Sequence, residues 1–120
     1  MKIKGFIDEN RCPRIYFQSV TGHKVSLVVD TGFNGTLCLP KQLINELNFE
    51  FMGTYEIELA DGSRVQSPIY SGEIIWFRKK REVIAYGTES SVGLLGTELL
   101  RGVYFELDID KNFVMITEEQ

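Results

Sequence analysis

The chain holds one histidine, two cysteines and no Cys-x-x-Cys pair. That scarcity rules against a zinc centre, and no other metal or cofactor is expected. Two cysteines are too few for a disulfide framework. Free thiols at Cys12 and Cys38 suit a cytoplasmic protein. No apolar run approaches the ~20 residues a membrane helix needs, so no membrane partner is expected. The first ten residues, MKIKGFIDEN, have lysines but no apolar stretch of the kind a secretory leader requires. The absence of a G-x-x-x-x-G-K-[ST] loop excludes a P-loop nucleotide site. A net charge of -4 gives no general reason to bind nucleic acid.

What remains is short strands. The 120 residues, 43% of them apolar, suit one domain spanning 1–120 with a real core. KIKGFI and RIYFQS flank a polar turn and read as a hairpin. HKVSLVV is a valine-rich third strand, and TLCLP a short fourth. PKQLINELN places Leu43, Ile44 and Leu47 on one helical face, with Pro40 in its first turn. TYEIELADGSRVQSPIY alternates on both sides of Asp61-Gly62, a strong hairpin signal in which both turn positions take positive φ. EIIWF and EVIAYG form another hairpin, tipped by Arg78-Lys79-Lys80-Arg81. LLGTELLRG reads as a strand, a glycine turn and one or two helical turns. VYFELDIDKNFVMIT closes the chain as two strands about a turn. The pattern predicts a barrel-like all-β domain with one or two short helices.

One stretch carries chemistry. LVVDTGFNG, residues 27–35, delivers Asp30 from the end of an apolar strand. A lone Asp-Thr-Gly also fits a strand ending in an ordinary turn. Here Gly32 and Gly35 permit a tight loop, and a second apolar-apolar-glycine segment, Leu94-Leu95-Gly96, follows later. LVVDTGFNG, LCLPKQLINEL, ELADGSRV and LLGTELLRGVYFELDIDKNFVMI together resemble, in order and spacing from about residue 24 to residue 116, the retropepsin-like aspartic proteases. The likeness is to their small single-domain prokaryotic members.

The resemblance implies a closed acid-protease barrel and an endopeptidase acting on polypeptides. It implies catalytic roles for Asp30, Thr31 and Gly32, and a substrate-contacting flap and loop at Asp61, Gly62, Ser63 and Phe33. Such enzymes hold a water between two aspartates that share a proton. Only one Asp-Thr-Gly occurs in this chain, so the pair requires a homodimer with Asp30 beside its own copy. Pairing with a different Asp-Thr-Gly chain would serve the same end. Retroviral members commonly carry Ala and Asp after the triplet, with an Arg partner further on. Phe33, Asn34 and Thr97 stand in those places, so both charged partners are missing together. The competing expectation is a catalytically inactive dimeric peptide-binding module on the same fold.

Other residues read as ordinary structure. His23 is a surface turn residue, Cys38 a small buried one, and Trp76 part of the core or an interface. Glu98 and Arg101 form a solvated face, and residues 78–81 a solvated turn.

Overall fold

The valine-rich segment alternates in burial as it does in sequence. In β4 (Lys24–Val29), Val25, Leu27 and Val29 are buried while Ser26 and Val28 are half-covered. That is the period-two pattern of a strand with one face on a core. β3 (Pro13–Ser19) repeats it with Ile15, Phe17 and Ser19. The computed structural model describes residues 1–119. They form an all-β fold with one short α-helix and one 3-10 turn.

The remaining strands are β1 (Lys2–Lys4), β2 (Phe6–Ile7), β5 (Leu37–Pro40), β6 (Glu50–Glu58), β7 (Arg64–Trp76), β8 (Lys79–Thr88), β9 (Leu94–Leu95), β10 (Val103–Asp108) and β11 (Phe113–Glu118). A large sheet runs in the order β2-β3-β4-β9-β5-β8-β7-β6, and a smaller one in the order β1-β11-β10. β3 also meets β7 through Gln18↔Ile75 and Ser19↔Ile74. This contact spans only two residue pairs and leaves β2 and β6 outside, so the large sheet closes on itself partly. Val114 and Ile116 of the small sheet are fully buried in the same core as Ile15, Leu27, Leu39 and Ile74.

Several local expectations shift. KIKGFI is not one strand: Lys2–Lys4 pairs with β11, and only Phe6–Ile7 pairs with β3. The break is Gly5, where a Cβ would stand 1.9 Å from the Arg14 carbonyl oxygen. Only a residue without a side chain passes that crossing. Pro40 ends β5 and caps the helix α1 (Lys41–Glu46) from outside. Ile44 and Leu47 are buried and Leu43 packs against the core. The basic run is not a four-residue tip. Phe77 and Arg78 alone make the turn, both with positive φ, and Lys79 to Arg81 lie in β8. Cys38 is half-buried, because Leu37 and Leu39 take the core face and alternation turns Cys38 to the other. Burial pushes its thiol pKa up. His23 is exposed at a turn, its Nδ1 3.0 Å from Thr21 Oγ1.

Candidate active site

β9 lies between β4 and β5, although those two strands are neighbours in sequence. Val28 and Val29 pair in parallel with Leu94 and Leu95, and Leu37 and Cys38 pair with the same two residues antiparallel. The 30–36 loop must therefore pass around the end of β9. Asp30 is the first residue of that loop, carried outward by a strand whose other face is in the core.

The loop is tied to the chain beyond β9 along its length. Asp30 N donates to Leu95 O at 3.0 Å, and Gly96 N to Thr36 O at 2.9 Å. Thr97 N donates to Phe33 O at 2.9 Å, and Glu98 N to Gly35 O at 3.2 Å. The approach is close enough that a Cβ on Gly96 would stand 2.1 Å from Gly35 O. Within the loop, Phe33 N donates to Asp30 O at 3.1 Å and Gly32 N to Asp30 Oδ1 at 2.9 Å. The second of these holds the carboxylate in one orientation. Asp30 is half-buried, while Thr31 and Gly32 are exposed.

The structure thus brings Asp30, Thr31, Gly32 and Phe33 together with Leu95, Gly96 and Thr97. Asp61, Gly62 and Ser63 lie apart, at the tip of the β6–β7 hairpin. No residue of β6 is buried, so this hairpin stands as an arm clear of the core. Its turn differs from expectation: Gly62 alone has positive φ, and Gly62 N donates to Leu59 O at 2.9 Å. Asp61 keeps an ordinary backbone because its side chain supplies the bracing. Its Oδ1 accepts from Ser63 N at 2.9 Å and Ser63 Oγ at 2.6 Å, and these bonds, the hydroxyl's first, lower its carboxyl pKa.

An aromatic path runs from the Asp30 loop to the arm. The Phe33 ring meets Tyr86 of β8 edge-on, centroids 5.9 Å apart, and Tyr86 lies 6.3 Å from Tyr55 of β6. Sequence reasoning missed Tyr55 and Tyr86. TYEIEL marks Tyr55 only as one of an alternating set, and nothing local marks Tyr86. A hollow of about 860 Å³ does not include Asp30. It touches this neighbourhood only through Thr36 and Glu98. Among the described residues no cluster of three or more His, Cys, Asp or Glu side chains could hold a metal.

No protein-family model matches the chain, and no curated protein matches it. Among solved structures, a foamy viral protease-reverse transcriptase in complex with an RNA/DNA hybrid is similar over 72% of this chain, with a TM-score of 0.55 and 13% sequence identity. The match takes in 11% of that protein's length. At this identity the likeness is one of fold. The chain shares an all-β architecture with part of a protease-containing viral protein.

Proposed function

We propose that the chain is a retropepsin-like aspartic endopeptidase that acts as a homodimer. The observation that carries this reading is the presentation of Asp30. Its carboxylate is held by the Gly32 N–H on a loop wrapped around an inserted strand and pointing out of the core. One chain contributes one such carboxylate. Two copies about a twofold axis would bring two together, and a cleft shared between them would be open on one side in each.

The paired carboxylates hold one proton between them and a water in reach of both. The ionised Asp30 takes a proton from the water as its oxygen attacks the scissile carbonyl carbon. The protonated Asp30 of the other copy donates to the carbonyl oxygen, giving a gem-diol. A proton then passes to the amide nitrogen, the C–N bond breaks, and acid and amine leave with the dyad restored. Thr31 braces the two loops across the axis, and Gly32 lets the substrate backbone approach. The β6–β7 arm, tipped by Asp61, Gly62 and Ser63, covers the cleft and excludes water. Substrate lies extended, bonded strand-fashion, with side chains along the Tyr86–Tyr55 wall.

Asp30→Asn tests this. Cleavage of an unfolded polypeptide is expected to fall by about 10²-fold or more, with dimer and fold intact by sedimentation and circular dichroism. A wild type that binds peptide but cleaves none between acidic and neutral pH, at concentrations where it is dimeric, would favour the peptide-binding module instead.

A further inference from the structure

Phe33 follows the Asp-Thr-Gly turn directly, and its ring does not lie free in the cleft. A Cβ built on Gly35 would stand 2.6 Å from its Cζ and 2.7 Å from its Cε1. A Cβ on Gly96 would stand 2.8 Å from its Cδ2. The ring therefore rests on the bare backbone of two glycines, one in the Asp30 loop and one at the end of β9, with Tyr86 against its edge. The main chain of the same residue is engaged at both ends. Its N–H donates to Asp30 O, and its carbonyl accepts from Thr97 N at 2.9 Å and Thr97 Oγ1 at 3.3 Å.

We propose that Phe33 is a positioning residue: its ring is an uncharged wedge that holds the Asp30 loop against the Gly96–Thr97 segment, so that the carboxylate keeps its orientation. The hydrogen bonds alone fix the loop at points along its backbone. The ring fills the space between them and opposes the sliding of Gly35 over Gly96. Because two glycines form the seat, a larger residue at either place displaces the ring. The wedge also carries no charge, so it tolerates the loss of solvent that a closed cleft imposes without leaving an unpaired ion.

The catalytic part of this inference rests on the protease reading, whereas the loop-holding part does not. The experiment has two readouts: amide hydrogen exchange in the free protein, and kcat and KM for cleavage of unfolded casein. Phe33→Ala is expected to speed exchange at Asp30 and Gly32 by about tenfold or more, with Leu27 and Ile116 unchanged. It is expected to lower kcat by about 10- to 100-fold with KM nearly constant. Phe33→Leu, which keeps an uncharged side chain in the seat and adds nothing at the Cζ contact, is expected to fall between wild type and Phe33→Ala. Gly35→Ala, which pushes the ring from its seat, should reproduce the effect of Phe33→Ala, and should add little in the Phe33→Ala background. Unchanged exchange at Gly32, or equal acceleration of all amides, would overturn the loop-holding role. A rise in KM at constant kcat would make Phe33 a substrate wall instead. A wild type that cleaves nothing removes the catalytic part, and the exchange result then decides the rest.

Discussion

The Asp30 carboxylate is held directly by one donor. The Gly32 N–H reaches back two residues to Oδ1, a local turn bond that needs no distant partner. Asp8, in the turn between β2 and β3, is held in a similar way with more help. Its carboxylate accepts from Arg14 Nε at 2.7 Å and from the N–H groups of Cys12 and Asn10. The Arg14 bond first, and then the backbone donors, hold its pKa below the usual carboxylate value. A lowered folded-state pKa contributes stability above the unfolded value near 3.8, and that contribution is lost as pH falls through the folded one. Urea unfolding of wild type and Asp8→Asn should therefore show a stability gap that is steady near neutral pH and narrows below about pH 4. Leu27, fully buried three residues before Asp30, anchors β4 in the core. Leu27→Ala is expected to cost about 2–5 kcal/mol by the same measurement.

At the scale of elements, tight crossings and turns decide the path. Gly5 passes the Arg14 carbonyl where no Cβ fits, and the chain changes sheets there. Gly5→Ala must move backbone, and a loss of about 1–3 kcal/mol is expected in denaturant titration. The β7–β8 turn works against its residues, since Phe77 and Arg78 both hold positive φ. A side chain in that region costs roughly 1–2 kcal/mol. Arg78→Gly relieves one such position but frees the unfolded chain. A net gain of a few tenths of a kcal/mol, seen as a higher melting temperature, is expected. The β6–β7 arm buries none of β6, so its opening would disturb little of the core, as a lid requires.

For the whole molecule, the half-site reading makes activity a property of pairs. Wild type mixed with an equal amount of Asp30→Asn, after exchange of subunits, should retain about a quarter of its dimers with two intact aspartates. Total activity should then be about half that of the same amount of wild type alone. It should also fall on dilution, together with the dimer fraction in sedimentation. An enzyme complete in one chain would show neither effect.

Much of this was legible in the residues. The alternation of Val25, Leu27 and Val29, the apolar face of PKQLINEL, and the hairpin about Gly62 all follow from local periodicity and turn chemistry. The single Asp-Thr-Gly was legible too, at the end of a strand. Other features were not. Insertion of β9 between β4 and β5 joins residues 56 to 66 positions apart, and a two-residue strand has no periodicity to announce its partners. The switch of sheets at Gly5, the seat of Phe33 on Gly35 and Gly96, and the line from Tyr86 to Tyr55 were decided only when the strands packed. The sequence by itself determined which face of the core strands and of α1 avoids water, because burial preference is written in single side chains. Tertiary structure alone decided which elements meet, because pairing depends on backbone bonds and close contacts supplied by distant parts of the chain at once.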